Sequence, residues 1–197
     1  MKKKLEKIKQ QVIECTKCEL SQTRNNSVAG KGNFKADVIF VGEAPGKNED
    51  LKGEPFIGIA GKKLSIALES AGITREEVYI TNIVKCRPPK NRVPTSIERE
   101  TCQNYLKKEI EIIEPKIICI LGNTAFNSLL DGKEITKFRG KVVSKNNQLY
   151  FLTVHPAATI YNQKLIDVLK KDMKKLFKLI KELKDKKKIK IDIEYTS

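Results

Sequence analysis

The sequence predicts an α/β fold built on a mainly parallel, four-stranded central sheet, and two observations carry that reading. Four short β-branched and aromatic runs are almost continuously apolar, as strands buried on both faces must be. Segments of helical period lie between them, and this alternation is what a parallel sheet with crossover helices requires.

Ala36 to Gly42 is the first such run, ended by glycine. Val78 to Val84, Lys116 to Gly122 and Leu149 to Val154 repeat its pattern. Between them, Gly61 to Ala71 sets Leu64, Ala67, Leu68 and Ala71 on one helical face, and Thr95 to Ile113 and Asn123 to Leu130 read as two further helices. Gly140 to Gln148 reads as a hairpin with an Asn-rich turn leading into the fourth strand. A last long helix places Leu165, Val168, Leu169, Leu176, Ile180 and Leu183 on one side and lysines on the other, so it should pack on the sheet and show solvent its basic face. Ahead of all this, a basic N-terminal helix carries Cys15 and Cys18. No internal repeat is evident, and only Lys184 to Lys190 is low in complexity.

With 197 residues against a typical ~150-residue unit, one domain spanning 1–197 is expected, ending in a lysine-rich helix and tail. Charged residues at 32% and hydrophobic residues at 40% fit a folded chain with a heavily charged surface, and exclude a disordered chain or coiled coil. No apolar run approaches the ~20 residues of a membrane span. The N-terminus lacks the apolar stretch of a secretory signal, so a cytoplasmic protein without membrane contact is expected. Lys and Arg number 39 against 24 acids, a formal +15 that favours polyanionic partners, nucleic acid first. The excess is densest at the two ends. A lysine-rich surface is also what hot environments produce, so charge alone does not decide.

Four of the five cysteines suit a metal site. Cys15 and Cys18 form a C-x2-C pair, and Cys86 and Cys102 follow at a distance. In a chain that reads as cytosolic, such an inventory points to a four-thiolate centre rather than disulfides. Zinc and an iron-sulfur cluster both accept tetrahedral thiolate corners, and spacing does not separate them. Cys119, between Ile118 and Ile120, reads instead as an inert buried thiol.

Open α/β sheets bind ligands beyond the carboxyl ends of their strands. Three segments fall there: Gly42 to Gly46, Asn82 to Pro94 and His155 to Ala158. Gly42-Glu43-Ala44-Pro45-Gly46 lacks both the dinucleotide fingerprint and the Lys-Ser/Thr ending of a phosphate loop.

Taken with Phe56, Asn82 and His155, the first loop resembles the opening motif of the uracil-DNA glycosylase superfamily. Gly42 to Asp50, Pro55 to Gly61, Asn82 to Pro94 and His155 to Ala158 are similar, in that order, to the blocks of its iron-sulfur branch, the family 4 uracil-DNA glycosylases. Cys15, Cys18, Cys86 and Cys102 fall where that branch has its cluster ligands. The resemblance implies a three-layer α/β/α sandwich, one 4Fe-4S cluster of structural role, and removal of uracil from single- or double-stranded DNA without backbone cleavage.

The chemistry of these residues fits that implication. Uracil must be flipped out, stacked and hydrogen-bonded along its pairing edge. Gly42, Glu43, Ala44, Phe56, Asn82 and His155 are the expected base-binding set. Phe56 supplies the stacking surface. The Asn82 carboxamide accepts from N3-H and donates to O4, whereas cytosine presents the opposite pattern. Bond cleavage leaves negative charge on O2, and a His155 N-H aimed there would stabilise it without being cationic.

Ala44 departs from the best-known branch, which carries a water-activating aspartate at the matching place. Glu49 is therefore expected to serve catalysis with His155, and Glu43 mainly to hold the loop. Arg87, Lys90 and Arg92 are candidate phosphate contacts. Ile160 or Tyr161 is a candidate wedge for the space left by the flipped base. A monomer suffices, since one flipped nucleotide needs one pocket. Two other functions also fit parts of the sequence: a noncatalytic nucleic-acid-binding module holding zinc on the four thiolates, and a glycosylase of broader base preference.

Overall fold

The four apolar runs become the parallel centre of the sheet. The structure, a computed structural model, describes residues 1–195. In chain order the elements are α1 (Lys2–Ile13), α2 (Leu20–Thr23), β1 (Lys31–Gly32), β2 (Val38–Gly42), α3 (Lys47–Lys52), α4 (Ile59–Glu69), β3 (Tyr79–Asn82), α5 (Ser96–Ile113), β4 (Ile117–Leu121), α6 (Asn123–Leu130), α7 (Ile135–Phe138), β5 (Val142–Lys145), β6 (Gln148–Thr153), α8 (Ala158–Tyr161), α9 (Leu165–Lys184) and β7 (Ile193–Tyr195).

Among the described residues the sheet has seven strands, ordered β1-β3-β2-β4-β6-β5-β7, rather than the four expected. β3, β2, β4 and β6 pair in parallel at its centre. The three strands that sequence reasoning did not count lie toward the edges and lack the apolar signature. β1 has two exposed residues, and β7 has one exposed residue between two partly exposed ones. β5 belongs to the expected hairpin, joined to β6 through Asn146 and Asn147. Both asparagines take positive φ, 51° and 61°, the conformation a two-residue hairpin turn demands.

Alternate residues of each central strand enter opposite layers. Ile39 and Val41 pack with residues of α1, α5 and α6, whereas Val38 and Phe40 pack with α4 and α9. Two helical layers around one sheet give the expected three-layer sandwich. Leu169, Met173, Leu176 and Ile180 form the buried stripe of α9, with lysines on the side away from the sheet. Cys119 lies in the α4/α9 layer, fully buried, on the face of the sheet opposite the other four cysteines.

Below the end of β3 sits a buried ion pair. Lys85 Nζ donates to Glu109 Oε2 at 2.7 Å, and each side chain is 1% exposed. Lys85 also donates to Thr81 Oγ1 and to the carbonyl of Asn82 at 3.1 Å. Glu109 accepts from Thr81 Oγ1 at 2.9 Å, Gly30 N at 3.0 Å and Tyr79 Oη at 3.3 Å. Two opposite charges in an apolar layer are tolerable only when their remaining hydrogen-bonding capacity is filled, as it is here.

Removing one partner strands the other, at a cost of about 3–5 kcal/mol. Lys85→Met is therefore expected to lower the urea midpoint sharply. Lys85→Met combined with Glu109→Gln, which removes the stranded charge and keeps the acceptor for Gly30, is expected to lose less than Lys85→Met alone. Additive losses would show that the pair is not coupled.

Candidate active site

Parallel pairing sets Gly42 directly beside Asn82 at the carboxyl ends of β2 and β3. The chain leaving β6 brings His155 to the same rim. Glu43, Ala44, Glu49, Phe56, Asn82 and His155 all line one cavity of about 560 Å³, as do Arg92, Ile160 and Tyr161. Gly42 stands behind two of them. A β-carbon there would lie 2.5 Å from Phe56 Cζ and 2.6 Å from Asn82 Oδ1, so a side chain would displace both groups.

Phe56 holds its ring in place with a strained backbone, φ +53°, which a bulky residue adopts only when its surroundings impose it. Arg75 imposes it, donating to the carbonyls of Phe56 at 2.7 Å and Pro55 at 3.0 Å. The ring is 5% exposed and lies 5.8 Å, centroid to centroid, from the imidazole of His155.

Asn82 is 1% exposed, and its Oδ1 has no hydrogen-bond partner among the described residues. Burying an acceptor unsatisfied costs about 1–3 kcal/mol. An external N-H entering the cavity would recover that cost.

The tautomer of His155 follows from its neighbours. Nδ1 accepts the backbone N-H of Ala157 at 3.1 Å, so the ring proton of the neutral form sits on Nε2. Burial pushes its pKa down to about 4, which keeps the imidazole neutral at ordinary pH. Gly122, at φ +89°, permits the approach: a β-carbon on it would lie 2.8 Å from His155 Cβ. The site therefore presents a stacking ring, a free carbonyl acceptor and a neutral N-H donor around one space, an arrangement suited to a planar heterocycle that leaves as an anion.

The two glutamates differ in setting. Glu49, on α3, is 8% exposed and accepts the Gly58 N-H through Oε1 at 2.7 Å. Glu43 accepts the hydroxyl of Thr124 at the start of α6, which ties the first loop to that helix. Ala44 contributes a small, uncharged stretch of wall.

The basic candidates are placed unevenly. Arg87 donates to Asn91 Oδ1 at 2.7 Å, and Lys90 is exposed; neither lines the cavity. Arg92 lines it, but its guanidinium makes a forked pair with Glu98 at 2.6 and 2.8 Å, within the capping box that starts α5. Tyr161 is 91% exposed and Ile160 is 45% exposed, so both stand free beside the cavity.

Cys15, Cys18, Cys86 and Cys102 gather in the α1/α5 layer. Burial raises the pKa of Cys86, against the pull of Arg24, and pushes Cys102 up to about 12. Cys15 and Cys18 add to the rise at Cys86, and Cys15 and Cys86 add to that at Cys102, as neighbouring thiols do. Two donors already face sulfur: Arg24 Nη1 lies 3.0 Å from Cys86 Sγ and Lys85 N lies 3.2 Å from Cys102 Sγ. Among the described residues, no three His, Cys, Asp or Glu side chains are grouped closely enough to hold a single metal ion.

Sequence reasoning did not find Arg75, Thr124, Gly122 or the Lys85–Glu109 pair. The one signal available for any of them was the glycine that closes the third apolar run, read there as a strand end rather than as clearance for His155.

The model of the uracil DNA glycosylase superfamily matches residues 29–184. A type-4 uracil-DNA glycosylase of Sulfurisphaera tokodaii is 47% identical over 89% of this chain and 84% of its own length. Those of Archaeoglobus fulgidus and Thermotoga maritima are 45% and 42% identical, over 89% and 90% of this chain and 92% and 95% of theirs. A type-5 uracil-DNA glycosylase of Pyrobaculum aerophilum is 32% identical over 66% of this chain. A family match across both walls of the cavity, together with these relatives, means that the chain belongs to the uracil-DNA glycosylase superfamily.

Proposed function

We propose that this protein is a DNA repair enzyme of the type-4 kind, a monofunctional glycosylase that hydrolyses the bond between uracil and deoxyribose and leaves an abasic site. The observation that carries this reading is the buried Oδ1 of Asn82, without a partner among the described residues, on a side chain that lines the same cavity as Phe56 and His155. A carboxamide held there accepts from uracil N3-H and donates to O4, and cytosine fails at both positions. A noncatalytic zinc module is not favoured, because it gives this orphan acceptor no purpose.

In the mechanism, the flipped base stacks on Phe56 and docks its pairing edge on Asn82. As the glycosidic bond breaks, its electron pair passes to the base and collects on O2. The Nε2-H of neutral His155 donates to that oxygen, and a donor fixed in advance by Ala157 needs no reorganisation when charge appears. The sugar cation takes the oxygen of water, and the proton that water loses ends on the departing uracil anion, so that the products are uracil and an abasic sugar. Glu49, with Oε1 fixed by Gly58, orients that water and faces the cation, while Glu43, occupied by Thr124, holds the loop. Ile160 or Tyr161 fills the vacated stack. Arg87 and Lys90 take phosphates, and Arg92 adds to them only by leaving Glu98. Duplex and single strand both suit a pocket that admits one nucleotide, and a cytoplasmic monomer of one domain accords with this reading.

The donor set fits a 4Fe-4S cluster. A cluster of this kind takes four thiolate ligands, and four cysteines gather in one layer here. Cys15, Cys18, Cys86 and Cys102 would hold it as thiolates, and the donors from Arg24 and Lys85 offset their negative charge. Its contribution is structural, tying the segment after α1 to α5 and to the chain that leaves β3.

One assay of base specificity and three further measurements test this reading. Incubation with DNA containing uracil, thymine or hypoxanthine, followed by hot alkali, is expected to reveal strand breaks only at uracil. His155→Ala is expected to lower single-turnover excision 10²–10³-fold with DNA affinity nearly unchanged, and the wild-type rate is expected to show no inflection near 6.5, where an ordinary imidazole gains its proton. Equal losses in rate and affinity would remove His155 from catalysis. In the second measurement, Glu49→Gln is expected to slow excision more than Glu43→Gln does, and a rate unchanged in both Glu49→Gln and Glu49→Ala would exclude the role given to Glu49. In the third, purified protein is expected to be brown, absorbing near ~400 nm, and to contain iron and acid-labile sulfide that Cys86→Ser diminishes; a colourless protein with stoichiometric zinc would replace the cluster by a single ion.

A further inference from the structure

A second cavity, of about 240 Å³, opens between α5 and α6 on the flank of the rim. Its inner wall includes Ile83, the residue after Asn82, and Arg99 projects into it from α5. The guanidinium is fixed along one side only. Nη1 donates to Asn127 Oδ1 at 2.8 Å and to Ser128 Oγ at 3.2 Å. Nε is buried and has no partner among the described residues. The edge formed by Nε and Nη2 thus has no partner among the described residues, although the side chain lines the cavity. Asp131 turns to Lys145 at 3.6 Å, Glu100 is exposed, and among the described residues no carboxylate pairs with Arg99.

That edge is the half of an arginine that grips an oxyanion with two parallel N-H bonds. An arginine already anchored through its other nitrogen loses little further freedom on binding. Ser96 and Gln103 line the same space and can add a hydroxyl and an amide donor. We propose that this cavity is a phosphate-binding site in which the Nε–Nη2 edge of Arg99 takes two oxygens of a phosphate group, supported by Ser96 and Gln103. The phosphate can come from the backbone of the DNA strand beside the flipped nucleotide or from a small phosphorylated molecule. The site lies outside the base pocket, and its binding can be measured without any excision.

Thermal unfolding of the full-length, cluster-loaded protein in sodium phosphate, against sodium chloride of matched ionic strength, reads the site directly. Wild type is expected to gain several degrees in phosphate, and Arg99→Gln to lose that gain. Arg99→Lys is expected to lose most of it, since an ammonium cannot reproduce the two-point grip. Ser96→Asp serves if the Arg99 variants fold poorly. It sits in the first turn of α5, where an acid is tolerated, and three residues from Arg99 it occupies the open edge itself. It too is expected to abolish the gain.

Binding of uracil-free DNA then identifies the source. If the strand supplies the phosphate, Arg99→Gln lowers the slope of log affinity against log salt by about one. A lost phosphate gain with an unchanged slope assigns the site to a small phosphorylated ligand. Equal stabilisation of wild type and all variants by phosphate, together with an unchanged slope, overturns the proposal.

Discussion

Lys85 and Glu109 hold the interior of this protein to the geometry of its rim. The ammonium reaches the carbonyl of Asn82 and the hydroxyl of Thr81, while the carboxylate gathers β3, the chain before β1 and α5 around one point. The backbone amide of the same lysine reaches Cys102. One residue therefore connects the thiol layer to Asn82, the residue proposed to read the base. The desolvation cost of such a pair is recovered only while every partner stays in place, so the pair acts as a constraint on position more than as a source of stability.

The rim adds further constraints of the same kind. Phe56 is kept in a conformation it would not choose, and Asn82 keeps an acceptor without a donor. His155 gives its Nδ1 to the backbone and retains one proton on the side it presents. The first two are unfavourable in isolation; Phe56 is held by Arg75, 19 residues on, whereas His155 is fixed by Ala157, two residues on. Groups arranged this way do not have to move when charge develops, which is the physical content of a preorganised site.

The central strands and the loops that follow them were legible in the sequence because a strand buried on both faces must be apolar throughout, and because ligands gather at one end of such a sheet. The edge strands were not, since β1, β5 and β7 satisfy no such requirement. At the site, Asn82 and His155 were legible from their place after strands, whereas Phe56 stood out only through the resemblance to the superfamily motif. Their supports were not: Thr124 lies 81 residues from Glu43, Arg24 lies 62 from Cys86, and Arg75 lies 19 from Phe56. No local pattern announces a contact made only by the finished fold. Arg92 illustrates the opposite limit, where a basic residue in a proline-rich loop proves to be engaged by Glu98 in a helix cap.

β7 lies against β5 at the outer edge of the sheet, and Asp192 just before it exchanges bonds with Val142 at 2.8 and 2.9 Å. Trimming the chain ahead of Asp192 would bare the full length of β5, a row of unpaired amides and carbonyls ready to template a neighbouring molecule. The short strand that follows the lysine-rich run thus covers an edge that would otherwise offer itself for pairing.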